Sequence, residues 1–334
     1  MLFPLLVLTT ATAHAADLTD QPDRLTGDVT IGYSFDQQSL GLVEDEEDVG
    51  GTQASSHLLE FRAEMGVAPG VSVFLQFDSG LSQTVSYTDA RSMGWNPQDD
   101  QGSLLNGTPI ESGVDPLTGS GFEGVWVGAR GTPFSEKRGA RATWLIEMAL
   151  RTANKTNFYT QDGSGDGGGI FHVDNVFATT RGSTHPYIQA SYTRRGGFGE
   201  STDDSETPLY DPADSLRMTA GAEFDTWSDL ANARALSLEG RMFFAYRSPT
   251  VLPSGIFLAE VLPGTDSTPV TRSEHSSFGL GFSLHWTPIA EMEVDFNLDL
   301  GWPTPHRIEH PYPVYSSFQS GVVQTGLALT YRYR

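Results

Sequence analysis

One feature constrains the fold of this chain above all others: apolar and polar residues alternate with a period of two, about a dozen times. In EMEVDFNLDLGW (291–302), Met292, Val294, Phe296, Leu298 and Leu300 alternate with Glu291, Glu293, Asp295, Asn297 and Asp299. Successive side chains of a strand point to opposite faces, so the segment has one oily face and one acidic face. The same rule sets Leu59, Phe61, Ala63, Met65 and Val67 against Glu60, Arg62 and Glu64. It sets Phe278, Leu280, Phe282, Leu284 and Trp286 against Ser277, Gly279, Gly281, Ser283 and His285. Strands are predicted over 25–36, 55–67, 71–82, 121–132, 140–151, 169–181, 186–194, 214–226, 234–247, 272–286, 291–302 and 318–333.

The connections alternate too. Short ones (68–70, 287–290) are interleaved with long polar ones at 37–54, 83–120, 152–168, 195–213, 248–271 and 303–317. That rhythm predicts an all-β fold, an antiparallel up-and-down transmembrane β-barrel of twelve strands with long extracellular loops and short periplasmic turns. The count places both chain ends on the periplasmic side. A soluble β-sandwich also alternates, with its apolar face turned inward, but its outer face mixes Lys with Glu and its loops rarely keep this rhythm. The tryptophans favour the barrel. Trp144, Trp227 and Trp286 fall at periplasmic strand ends and Trp302 with Tyr246 at the other, with Tyr331 in the last strand, as membrane-interface girdles require.

Residues 1–15, MLFPLLVLTTATAHA, are an apolar run ending in Ala13-His14-Ala15, the pattern of a cleaved signal peptide. The mature chain is then a single barrel domain over 16–334, with no composition shift to mark a second one. There are no cysteines, so disulfides and thiolate metal sites are excluded. With 20 Lys+Arg against 42 Asp+Glu, the net charge of −22 argues against nucleic acid as a partner.

In this architecture, and in a last strand VQTGLALTYRYR (323–334) whose alternate apolar positions lead into aromatics, the chain resembles bacterial outer-membrane β-barrels of the porin and small-solute transporter kind. The last strand departs from the family's assembly signal by ending on Arg334. A more distant likeness is to hydrocarbon and phenol-pathway transporters, with no motif that assigns the chain there. The resemblance covers the whole mature chain and implies a Gram-negative outer-membrane location.

If the oily faces meet lipid, the lumen is lined by Glu60, Arg62, Glu64, Asp78, Glu147, Glu223, Asp225, Glu239, Arg241, Glu293, Asp295 and Asp299. Ten acids against two arginines predict a water-filled lumen that leans towards cations. The expected function is passage of small solutes with no cofactor, no catalytic residue and no resident metal. Two rivals remain: a closed structural or surface-interaction barrel acting through its loops, and a membrane-embedded lipid hydrolase. For the hydrolase, Ser283 and His285 share an inward face, but no G-x-S-x-G is present.

Other motifs carry less. His306-Arg307-Ile308-Glu309-His310 matches a zinc-peptidase pattern that works only on a helix, and Pro303, Pro305, Pro311 and Pro313 oppose one there. Asp162-Gly163-Ser164-Gly165-Asp166-Gly167 resembles the start of a calcium loop, but the twelfth position is Val173. The acidic runs Glu44–Asp48 and Glu200, Asp203, Asp204, Glu206, Asp211 and Asp214 fall in external loops. They are expected to be solvated, with divalent cations held loosely at most, beside the outer-membrane lipid that surrounds the barrel.

Overall fold

A computed structural model describes residues 21–44, 47–88, 117–152, 168–197, 211–229, 231–252, 270–309 and 314–333. The expected signal peptide (1–15), the calcium-like motif and Glu200, Asp203, Asp204 and Glu206 lie outside the described residues.

The described residues form fifteen strands in one sheet. In chain order they are β1 (Gly27–Glu44), β2 (Glu47–Ala68), β3 (Val71–Thr88), β4 (Leu117–Phe134) and β5 (Thr143–Arg151). Next come β6 (Ile170–Ala178), β7 (Thr184–Arg195), β8 (Ser215–Asp229), β9 (Arg234–Arg247) and the short β10 (Thr250–Leu252). The short β11 (Val270–Arg272), β12 (His275–Ile289), β13 (Met292–Pro303), the short β14 (Arg307–Glu309) and β15 (Val314–Tyr333) complete the set. Apart from the three short strands, twelve antiparallel staves run β1 to β9, then β12, β13 and β15. Pairing of β15 with β1, from Gly27–Tyr333 onwards, closes the sheet into a barrel.

Each predicted strand is present. The wall is inside out relative to a soluble protein. Phe282 is 55% exposed and Leu280, Met242, Ile188 and Phe296 are also exposed, while Glu293, Glu223 and Asp78 are each 2% exposed. Apolar residues face each other across the outer surface, as with Leu280–Leu300 and Phe282–Leu298, and supply the lipid-facing belt.

Two expected loops turn out to be strand. β1 and β2 pair up to Glu44–Glu47, so most of 37–54 is ladder, and β15 begins at Val314 inside the predicted 303–317 connection. Beyond the bilayer an outward side chain need not be apolar. The period-2 signal therefore fades while backbone pairing continues. The short strands sit at this loop end: β14 pairs with Val314–Ser316 of β15, β11 with β14, and β10 with β11.

At the opposite end, two turns are tied together. Glu136 accepts hydrogen bonds from the Thr180 backbone N–H (3.0 Å), the Thr180 hydroxyl (2.8 Å) and the Thr179 hydroxyl (3.0 Å). Burial raises its carboxyl pKa, but these bonds outweigh it and hold the carboxyl below the usual value of 4.5. The stabilisation is therefore present above about pH 4.5 and fades as pH falls through the depressed folded-state pKa. Because the group is well solvated, Glu136→Gln is expected to cost about 0.5 kcal/mol at pH 7 and nothing near pH 3, measured by denaturant unfolding in lipid vesicles. In the same assay Phe282→Arg, on the lipid face, is expected to cost about 2–4 kcal/mol.

Candidate functional site

The site is the inner wall of the barrel. Alternation along β2, β3, β5, β8, β9 and β13 turns Glu60, Arg62, Glu64, Asp78, Glu147, Glu223, Glu239, Arg241, Glu293, Asp295 and Asp299 away from the apolar belt. Asp225 differs. Its side chain is 47% exposed at the turn-end rim, where it pairs with His185 Nε2 at 3.1 Å. The expected interface aromatics Trp227, Tyr246, Trp286, Trp302 and Tyr331 are exposed on the outer surface. Trp144 is partly covered, stacked on Phe177 with centroids 5.5 Å apart.

Two charge networks organise the lumen, one near the turns and one reaching from its middle towards the loops. In the first, Arg62 reaches Glu64 (2.9 Å) and Glu147 (3.1 Å), and Arg130 reaches Glu64 (3.4 Å) and Glu147 (3.4 Å). Two cations and two anions thus alternate in a ring spanning β2, β4 and β5, and the Ser72 hydroxyl donates to Glu64 at 2.5 Å. In the second, Asp299 on β13 accepts from Arg217 Nη2 on β8 (2.8 Å) and Arg241 Nε on β9 (2.9 Å). Arg241 also reaches Glu239 at 3.3 Å, and Tyr187 donates its hydroxyl to Glu239. His285 sits between carboxylates, Nδ1 to Asp295 at 2.7 Å and Nε2 to Glu239 at 3.4 Å. Buried ions are tolerated only when paired with good geometry, and these networks meet that condition.

The hydrolase constellation does not assemble. The Ser283 hydroxyl accepts from Arg241 Nη1 at 2.5 Å, and both His285 nitrogens face acids. The zinc-peptidase stretch is extended, with Arg307–Glu309 as β14 and His306 bonded to Arg272; His310 lies outside the described residues.

Sequence reasoning missed six arginines. Arg130, Arg151, Arg195, Arg217, Arg247 and Arg272 also belong to the inner face. The parity rule had reached Arg151 through Leu145, Glu147 and Ala149, and Arg247 through Glu239 and Arg241, had it been followed to the strand ends. It had no means of finding Arg–aromatic stacking. The guanidinium carbon of Arg62 lies 3.6 Å above the Phe74 ring centroid, and that of Arg217 3.9 Å above Phe243. Each ring lies flat across a cross-strand glycine, Phe74 over Gly128 and Phe243 over Gly279, where any Cβ would collide with it.

A closed twelve-stranded wall, apolar outside and charged inside, defines a transmembrane β-barrel of the kind found in bacterial outer membranes. No protein-family model and no curated protein sequence matches the chain. Its fold is similar to that of an outer membrane channel from Pseudomonas putida F1, with a TM-score of 0.53 at 10% identity, covering 94% of this chain and 98% of that one. Weaker likenesses are to the beta domain of the Bordetella autotransporter BrkA (TM-score 0.46, 9% identity, 92% and 100% covered). A mutant of the monoaromatic hydrocarbon channel TodX scores 0.45 at 11% identity, with 96% and 93% covered.

The four-membered ion ring yields a prediction. Glu64→Gln leaves two guanidiniums sharing one carboxylate and is expected to destabilise the barrel by about 3 kcal/mol. Adding Arg130→Met restores the balance and is expected to recover part of that loss. Denaturant unfolding of both variants in vesicles measures the difference.

Proposed function

We propose that this protein is an outer-membrane channel for small solutes whose lumen leans towards cations. The observation that carries the proposal is the inward face: a closed, polar, hydrogen-bonded lining that the surrounding lipid cannot reach. The likeness of its fold to an outer membrane channel supports the channel role. The cation preference is supported by acids held by neutral donors. Asp78 accepts from Gln76 (2.9 Å) and Trp126 (2.5 Å), Asp174 from Gln189 (2.7 Å) and Asp36 from Gln324 (2.6 Å). Such donors orient a carboxylate without cancelling its charge, and carboxylates on a pore wall favour cations. The arginines of the inner face make the preference smaller than the sequence count of ten acids to two arginines suggests.

A closed structural barrel is the second reading. It is favoured by the buried cluster of Leu145, Val176, Ala178 and Tyr187 on the inner side near the turns.

Planar-bilayer recording separates the two. A channel gives unitary conductance, and under a KCl gradient a reversal potential of the sign for K⁺ preference, shifting towards zero in Asp78→Asn and Asp174→Asn. Correctly folded protein without conductance would establish the closed barrel, and a reversal potential of the opposite sign would remove the cation preference.

A further inference from the structure

The chain carries 42 acidic residues against 20 basic ones, yet two neighbouring turns reverse that balance. The β4–β5 turn holds Lys137, Arg138 and Arg141 and the β6–β7 turn holds Arg181, all exposed, with Glu136 as their one carboxylate. Hydrogen bonds fix the two turns against each other. The Thr179 hydroxyl donates to the Arg141 carbonyl at 3.1 Å, and the Thr180 N–H donates to Glu136 at 3.0 Å. Arg181 directly follows Thr180 and is itself locked in a tight hairpin, its N–H on the Thr184 carbonyl at 2.8 Å and Gly182 at φ 67°. Arg141 and Arg181 thus each lie within two residues of a hydrogen bond that joins their turns.

The nearby acids are already engaged. Glu136 accepts from Thr179 and from both Thr180 donors, and Asp225 on β8 pairs with His185 Nε2 at 3.1 Å. Arg138 is held by the Ser135 hydroxyl (3.1 Å) and by the Thr132 carbonyl and hydroxyl, all neutral acceptors. The Arg141 and Arg181 side chains make no hydrogen bond or ion pair among the described residues. Beside these turns, on the outer surface, Phe134, Trp144 and Phe177 form an aromatic cluster with ring centroids 5.6, 6.0 and 5.5 Å apart. Each is a terminal or penultimate residue of its strand, and Phe134 and Phe177 are 39% and 41% exposed. Aromatic rings at that height mark where bilayer gives way to water.

We propose that Arg141 and Arg181, beside the Phe134–Trp144–Phe177 cluster, bind the phosphate of an anionic phospholipid in the leaflet that meets the turns. Cations fixed at the height of the headgroups attract anionic lipid, each adding to the attraction. The planar fork of arginine also matches phosphate oxygens in a bidentate pair. A zwitterionic phospholipid brings its own ammonium to the same arginines, which offsets the attraction. Phosphatidylglycerol brings none. The aromatic cluster favours a lipid over a soluble phosphate, because its rings meet the glycerol backbone and first acyl carbons next to the cations. The site lies at the lipid boundary, so it stands whether or not the lumen conducts.

Native mass spectrometry of the full chain, carried in micelles with equal amounts of phosphatidylglycerol and phosphatidylcholine of identical acyl chains, reads the ratio of the two lipids retained. Phosphatidylglycerol is expected in excess, and Arg141→Gln and Arg181→Gln are each expected to lower the ratio roughly fivefold, the effect of one cation at a headgroup. Arg141→Lys, which keeps the charge and loses the fork, is expected to fall in between. Arg234→Gln, on the β8–β9 turn, is expected to leave the ratio unchanged, and excess glycerol phosphate to displace no lipid. Heat-dependent gel mobility confirms that each variant is a folded barrel. Equal retention of the two lipids, or an unchanged ratio in the folded double variant of Arg141 and Arg181, would overturn the proposal. An equal fall in Arg234→Gln would reduce the preference to net charge and remove the site. Displacement by glycerol phosphate would overturn the lipid assignment in favour of a soluble phosphate.

Discussion

The hydrogen-bond ladder between β1 and β15 is the interaction on which everything else depends. Lipid offers no donors or acceptors, so an open sheet edge in the bilayer would leave a row of backbone groups unpaired. Closure removes both edges at once and requires the first and last long strands, Gly27–Glu44 and Val314–Tyr333, to match in length and register. The match is close: Ile31 meets Leu329, Tyr33 meets Leu327 and Val29 meets Tyr331, so the seam is as apolar on its outer face as the rest of the belt. A register slip of one residue would turn Asp28, Asp36 and Arg332 towards lipid.

Once the wall is closed, its interior becomes an electrostatic problem. The inward groups of neighbouring staves are too short to fill the space alone, and long arginines reach across two or three strands to find acids, as Arg62 does with Glu147 and Arg217 with Asp299. Aromatic rings laid over glycines support the guanidiniums from below, with Phe74 under Arg62 and Phe243 under Arg217. Arginine suits this role because its planar cation stacks and bonds at the same time. Lysine does not. The only described lysine, Lys137, lies in a turn, and the wall is held by arginine alone.

How far the sequence was legible follows from what each interaction reads out. Side-chain parity is a local property, so it identified the staves and the orientation of residues such as Phe282, Glu293 and Asp299. Strand ends such as Gln37–Glu44 were illegible because apolar residues there (Leu40, Leu42 and then Val43) fall on both faces and a register shift between Ser39 and Gly41 breaks the parity. The short strands β10, β11 and β14 make ladders of two or three residue pairs, too short to show a period of two, and β11 meets β14 far along the chain (Thr271 with Glu309). The lining was half legible. The acids stood out by parity, but the arginines that answer them sit on other staves, so the balance of Glu64 and Glu147 by Arg62 and Arg130 emerges only from the closed geometry. Asp225 obeyed parity and still reached solvent, because it sits near the turn-end rim beside a register shift between Asp225 and Trp227.

These constraints together separate net charge from local charge. The acids that make the chain strongly anionic are numerous on the inner wall near the turns, where they are balanced pairwise or oriented by amides and an indole. Several arginines lie in the loop-side half: Arg195 and Arg247 end β7 and β9, Arg217 lies near the start of β8, and Arg272 ends the short strand β11. Net charge and local charge are therefore different quantities on this wall, and a single count of acids against bases does not describe its inner face.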